Sequence, residues 1–137
     1  MGMQSSNLAA TTHSKCLLCG TENPIGLKLK FEPSTSGGVY TQIEVPARFQ
    51  GYRGIAHGGI VAALLDAAMV HCLLKDDIPA VTCDLQVRYR HPVPINRTLD
   101  LRARIRKQRR RIYDLEGVLS MDGEEAVTAS ARFMSPQ

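Results

Sequence analysis

The sequence predicts a single α+β domain in which an antiparallel sheet of about six strands wraps around one long central helix. Two observations support this. Residues 60–75 form an Ala- and Leu-rich run that contains no Pro or Gly, which is typical of a helix. Elsewhere apolar and polar residues alternate in short segments, which is typical of half-buried strands. With 137 residues, 44% of them hydrophobic, the chain has the length and composition of one ordinary globular domain with one core.

The elements follow in chain order. Residues 1–15 are small and polar, so we predict a disordered tail and assign 16–137 to the single domain. Alternation predicts two strands before the helix, separated by a Ser- and Gly-rich hairpin loop, and four strands after it. The predicted strands are 27–32, 39–45, 81–90, 99–106, 113–120 and 127–133.

The predicted helix has an unusual composition. Only Asp66 and His71 are polar among the fifteen residues after Gly58-Gly59. A helix that is apolar on every side is expected to be buried on every side. It is too short for a membrane span, which needs roughly 20 apolar residues, and it contains an acid. We therefore place it at the centre of the core.

The start of this helix is a candidate site. Two glycines there allow a ligand to approach the backbone, where unpaired N–H groups and the positive end of the helix dipole favour negative charge. His57 lies just before the glycines, and Asp66 lies further along the helix. Each of these residues taken singly has an ordinary structural explanation. Together they favour a site, because a buried unpaired carboxylate is expensive.

Composition narrows the possible partners. The chain has a net charge of +4 and no Trp. We therefore see no aromatic platform for single-stranded nucleic acid, and the charge suits an anionic small molecule equally well. No secretory signal is evident, and the four cysteines do not form a disulfide framework. Free thiols in the cytoplasm are the expectation.

Two of the cysteines are spaced like metal ligands. Cys16 and Cys19, with His13 nearby, offer three donors. A structural zinc site needs four, and no second Cys-x-x-Cys or His pair follows. We therefore predict no metal and interpret both cysteines as turn residues, with a zinc or redox role as the alternative.

The chain resembles the hotdog-fold acyl-CoA thioesterases, specifically the phenylacetic-acid-pathway type and the human thioesterase superfamily members. The resemblance covers about residues 16–134. It implies a hotdog fold, hydrolysis of an acyl- or aryl-acyl-CoA to free acid and CoA, and no cofactor. The matching residues are Cys16-Leu17-Leu18-Cys19-Gly20, Asn23-Pro24-Ile25-Gly26-Leu27, His57-Gly58-Gly59 with Asp66, and Val81-Thr82-Cys83-Asp84-Leu85-Gln86-Val87-Arg88-Tyr89 with the following Pro92.

The resemblance also implies roles for individual residues. Asp66 matches the acid that acts as nucleophile or as general base toward water. Gly59 matches the residue whose backbone N–H polarises the thioester carbonyl, and His57 the side chain that orients this region. Thr82 matches a residue that positions the water or the carboxylate. Where the family often has an Asn before His-Gly-Gly, this chain has a glycine, and the neighbouring Gln50 is the candidate substitute.

Helix geometry adds a constraint of its own. At about 1.5 Å per residue, Asp66 lies roughly 10–12 Å along the axis from the amides at the start of its own helix. One thioester carbonyl cannot touch both groups. We therefore predict that the acid comes from a second subunit whose helix runs antiparallel to the first, in a homodimer. Separately from this distance argument, we expect the dimers to associate into a dimer of dimers, a homotetramer.

Basic residues at strand ends are candidates for binding the phosphates of coenzyme A, with a solvated basic face as the alternative. The candidates are Arg88, Arg90, His91, Arg109 and Arg110. Two other functions remain open. One is a non-catalytic acyl-CoA-binding hotdog protein, and the other is a hotdog hydratase or dehydratase, although those enzymes generally carry a different His-containing motif.

Overall fold

Six strands and one long helix make up most of the structure, a computed structural model that describes residues 7–136. Short helical segments precede the long helix at the N-terminus and at Ala47–Phe49, the latter of the 3-10 type. The helices are α1 (Asn7–Thr12) and α2 (Gly58–Leu74), and the strands are β1 (Glu32–Pro33), β2 (Val39–Ile43), β3 (Val81–Tyr89), β4 (Leu99–Arg109), β5 (Ile112–Met121) and β6 (Glu124–Met134).

The strands form one antiparallel sheet in the order β1-β2-β4-β5-β6-β3. Tight turns connect β4 to β5 and β5 to β6, with positive φ angles at Arg110 and at Asp122-Gly123. The second of these is the Asp-Gly turn that favours a hairpin. The sheet packs around α2, so the predicted hotdog arrangement of α+β class is confirmed.

The core lies between α2 and the inner face of the sheet. Each fully buried Leu or Phe side chain in it contributes about 1.5–3 kcal/mol to folding. Gly117 of β5 lets α2 lie close to the sheet, because a Cβ there would be 3.2 Å from Cδ2 of Leu65. The largest fully buried side chains include Leu64, Leu65, Met69 and Leu73 of α2, and Leu99, Leu101, Leu115, Leu119, Val127 and Phe133 of the sheet.

One stripe of α2 is only half-buried, so the prediction that this helix is buried on every side is wrong for the single chain. Ala62, Ala63, Asp66 and Val70 are all intermediate in exposure. Their spacing of three to four residues places them on one face of the helix. Apolar surface of this kind is available for another chain to cover.

The predicted strand over 27–32 is present only at its end. Lys28 has a positive φ of 54°, and the N–H groups of Leu27 and Leu29 donate to the carbonyls of Leu17 and Leu18. The segment thus pairs with a loop, which periodicity cannot reveal. The alternation still predicted which side chains face inward, since Leu29 and Phe31 are buried.

The predicted disordered tail is wrong for residues 7–12, which form α1. In this helix the Thr12 hydroxyl donates to the Leu8 carbonyl at 2.5 Å. Residues 1–6 lie outside the described part of the chain. Across residues 7–136, no helix is both long enough and apolar enough to span a membrane.

Candidate active site

A cavity of about 780 Å³ opens at the N-terminal end of α2. One wall is the loop that leads into the helix, and the other is the chain around the end of β3. The lining is mostly apolar, with polar groups at the helix start and just after β3. The lining residues include Tyr52, Ile55, His57, Gly58, Val61, Tyr89, Arg90, His91 and Val93.

His57 caps the helix at this cavity. Its backbone is extended (φ −59°, ψ 134°), and its ring Nδ1 accepts the N–H of Gly59 at 2.9 Å. Because Nδ1 accepts, the neutral ring carries its proton on Nε2. A Cβ on Gly59 would lie 3.1 Å from the His57 ring, so this close cap favours glycine.

The His57 cap changes which backbone N–H groups at the start of α2 can bind a ligand. The Gly59 N–H, which the family resemblance assigns to the thioester carbonyl, already has an acceptor within its own chain. The N–H groups of Gly58 and Ile60 have none among residues 7–136. The first-turn donors open to a ligand are therefore those of Gly58 and Ile60.

Tyr89 is a site residue that the pattern analysis missed. Its hydroxyl donates to the Gly58 carbonyl at 2.6 Å, and its ring lines the cavity. Burial raises the pKa of this hydroxyl above its usual value, so the group remains a donor at neutral pH. Strand alternation treats Tyr89 as one more apolar position, and no sequence pattern shows where its hydroxyl points.

Asp66 and Thr82 meet on the half-buried stripe of α2, where the Thr82 hydroxyl donates to Asp66 Oδ1 at 2.7 Å. A β-bulge makes this contact possible, because the register of β3 shifts between Thr82 and Asp84. Thr82 is thereby paired with the inward-facing Phe133, whereas Asp84 is paired with Arg132 on the outer face.

The bulge also corrects the predicted faces of β3. Strict alternation predicted that Val81 and Cys83 face inward with Leu85. In the structure, Val81 and Cys83 are exposed. It placed Thr82 on the opposite face, away from the helix. One extra residue in the strand reverses the assignment for the residues before it.

Asp66 and the open amides are not brought together within one chain. Asp66 does not line the cavity, and it lies about 12 Å along the helix axis from Gly58. Among the predicted phosphate-binding residues, Arg90 and His91 line the cavity, and His91 Nε2 lies 3.6 Å from Glu124. Arg88, Arg109 and Arg110 do not line it.

Gln50 does not take a position in the cavity. Its side-chain oxygen accepts the N–H of Gly54 at 2.9 Å and so closes the loop before the helix. The cavity is instead lined by the neighbouring Gly51, where a Cβ would lie 3.5 Å from His57. This part of the lining therefore presents a glycine where the family resemblance predicts an amide side chain.

The remaining candidate ligands lie at the opposite end of α2. Cys16 and Cys19 are free and half-buried in a turn closed by the hydrogen bond from Gly20 N–H to the Cys16 carbonyl. Burial, followed by the neighbouring Cys16, raises the pKa of the Cys19 thiol to about 12. Within residues 7–136, no three His, Cys, Asp or Glu side chains are grouped to hold a metal ion.

His71, the other polar residue of α2, packs its ring on Phe31 with centroids 4.7 Å apart. Burial, and then the nearby His13, lowers the pKa of His71 to about 4. The ring is therefore neutral at physiological pH. Its Nε2 is buried and has no hydrogen-bond partner within the described residues.

The family of the chain follows from its similarity to known proteins. Residues 53–128, more than half of its length, match the family model of the thioesterase superfamily. The chain belongs to the thioesterase superfamily. The matched region includes the His57 cap, Asp66 and Thr82. No curated protein sequence matches the chain.

Several solved structures of superfamily proteins are similar to this one. A thioesterase superfamily protein matches over 85% of this chain with 25% identity and a TM-score of 0.79, and the chain spans 61% of that protein. A phenylacetic acid degradation-related protein from Ralstonia eutropha JMP134 matches over 79% of this chain and 85% of its own, with 26% identity and a TM-score of 0.69. A Bacillus halodurans protein solved with CoA matches over 81% of this chain and 76% of its own, with 25% identity and a TM-score of 0.68.

Proposed function

We propose that the protein hydrolyses the thioester of an acyl-CoA, at sites that two copies of the chain build together. The observation that carries the proposal is the separation of the two chemical groups on one helix. Asp66 is held by Thr82 on a half-buried face, and the open amides lie about 12 Å away at the start of the same helix. Two antiparallel helices would bring each acid to the other helix's amides.

The chemistry follows from these groups. Thioester hydrolysis needs a base or nucleophile and a donor directed at the developing oxyanion. Asp66 either activates water or attacks the carbonyl itself, and in both cases the products are the free acid and the CoA thiol. The Gly58 N–H, strengthened by the helix dipole, supplies the oxyanion donor. The bond from Thr82 fixes the orientation of the carboxylate.

The open edge of the sheet supports pairing with a second copy. β3 is an edge strand whose only partner in residues 7–136 is β6. Most of β3 is exposed, with Val81 at 68% and Tyr89 at 50%. An unpaired edge of this length is a template for strand addition, and two-fold symmetry makes the added strand antiparallel. Such pairing would place two α2 helices side by side, with the dimers associating further into a tetramer.

Coenzyme A is the proposed carrier of the acyl group. Arg90 and His91 place basic groups at the cavity rim, where they can meet phosphates, while the apolar lining suits the rest of the ligand. The solved Bacillus halodurans relative is a complex with CoA. Arg88, Arg109 and Arg110 lie outside this cavity and take no part in the proposal.

A panel of acyl-CoA thioesters tests the proposal. We expect the wild-type protein to release free thiol from at least one phenylacetyl, hydroxybenzoyl or alkyl CoA, and Asp66→Asn to lose that activity. Asp76→Asn is the matched control, because Asp76 is exposed and its side chain, as far as residues 7–136 go, pairs with the neighbouring Lys75. A wild-type protein that binds acyl-CoA but releases no thiol would instead be a non-catalytic acyl-CoA-binding protein.

A further inference from the structure

The peptide unit between Gly58 and Gly59 is held at both ends by side chains. The Tyr89 hydroxyl donates to its carbonyl oxygen at 2.6 Å, and His57 Nδ1 accepts its N–H at 2.9 Å. The two side chains come from different elements, one from the end of β3 and the other from the helix cap. The plane of this peptide is thereby fixed against rotation.

We propose that Tyr89 is a positioning residue for thioester hydrolysis: by binding the Gly58 carbonyl, it orients the helix start so that the open Gly58 N–H stays directed at the substrate. The inference rests on the proposed function. Gly58 and Gly59 are the residue type with the most backbone freedom, so the Gly58 N–H, on the peptide unit next to the one that Tyr89 and His57 hold, needs outside support to keep its direction. Preorganised donors are the ones that stabilise a transition state effectively.

Packing of the ring does not by itself explain why a tyrosine, with its hydroxyl, occupies position 89. Tyr89 is 50% exposed, so its ring is only partly packed against the core. A phenylalanine would fill the same space without reaching the Gly58 carbonyl. The hydroxyl has one proton to donate, and that proton is committed to the backbone. Tyr89 therefore acts through the helix start, without donating to the substrate.

The test is Tyr89→Phe, with Tyr40→Phe as its matched control. The Tyr40 hydroxyl also donates a hydrogen bond, to Asp100 at 3.3 Å between β2 and β4, and Tyr40 does not line the cavity. We expect kcat of Tyr89→Phe to fall about tenfold, with KM changed by less than about twofold. In Tyr40→Phe both constants should match the wild type, and the two variants should have similar thermal midpoints.

Amide hydrogen exchange at Gly59, followed by NMR, gives a second reading that does not depend on activity. Without the hydroxyl the peptide unit is held at one end only, so we expect Gly59 exchange to accelerate about tenfold in Tyr89→Phe and not in Tyr40→Phe. If wild-type protein proves inactive while this acceleration is seen, the proposed function fails and the positioning of the peptide by Tyr89 stands.

Other outcomes overturn the inference. Unchanged kcat in an active enzyme, or unchanged exchange at Gly59, would mean that the hydroxyl does not position the helix start. A raised KM with unchanged kcat would make Tyr89 a substrate contact. A comparable loss of kcat in Tyr40→Phe would indicate a general effect on the fold.

Discussion

The N–H of Gly58 can be removed while the fold is kept, because this residue is the first in α2. Proline is well accepted at the first helical position, where the missing N–H has no intrahelical acceptor and the fixed φ suits the helix. The preceding His57 already has the extended backbone that a following proline requires. A Cβ at position 58 would lie 3.7 Å from the Tyr89 hydroxyl, an ordinary contact. Gly58→Pro is therefore a selective deletion of one donor.

The expected effects on activity and stability have opposite signs. Loss of one oxyanion donor lowers kcat about 10²–10³-fold, or about 2.7–4 kcal/mol of transition-state stabilisation. Restricting the unfolded chain raises the free energy of unfolding by about 0.4–1 kcal/mol. Gly58→Ala keeps the N–H and adds only the Cβ, so we expect its kcat to stay within about fivefold of the wild type.

The assay pairs steady-state thiol release from the best acyl-CoA with urea unfolding of all three proteins. A Gly58→Pro variant that is folded and as active as Gly58→Ala would refute the assignment of this amide. Equal losses in both variants would show that the added carbon, and not the missing proton, is responsible.

Three further predictions concern other parts of the structure. Thr82→Val keeps the side-chain shape but removes the donor to Asp66, so kcat should fall about tenfold with KM unchanged; a wild-type kcat would contradict the role of this bond. Gly117→Ala should lower the free energy of unfolding by about 1–3 kcal/mol, because its Cβ would press on Leu65. A urea midpoint equal to that of the wild type would count against close packing of α2 on the sheet at this position. His71 has its pKa lowered from 6.5 to about 4 by burial, so only the unfolded state takes up its proton as the pH falls below 6.5. The stabilisation of the folded state by a neutral His71 is therefore complete above pH 6.5 and is lost as the pH falls toward 4. The free energy of unfolding should drop by about 2 kcal/mol between pH 7 and pH 5, and by less in His71→Gln. Equal drops in both proteins would show that another group is responsible.

Long and regular patterns predicted their elements well. The apolar run after Gly58-Gly59 became α2, and the four alternating segments after it became β3 to β6. These patterns record burial against a single neighbouring layer, which is a local property of the sequence. Once the helix was located, the sequence also placed His57 at its start and Asp66 along it.

Features that depend on distant parts of the chain could not be predicted. The segment before β1 alternates like a strand, but its backbone partners are loop carbonyls at Leu17 and Leu18. The bulge beside Thr82 reverses the faces of one end of β3, and no residue type marks it. The bonds of Tyr89 and His57 to a single peptide unit depend on how β3 and the helix cap meet.

Mixing two inactive variants tests most directly whether the site is shared between subunits. Asp66→Asn lacks the acid and Gly58→Pro lacks the amide, and the two are refolded together in equal amounts. If each site takes its acid from one subunit and its amide from the other, half of the dimers are mixed and one of the two sites in each is intact. We then expect recovery of about a quarter of wild-type activity. Activity no higher than that of the separate variants would contradict a site shared between subunits.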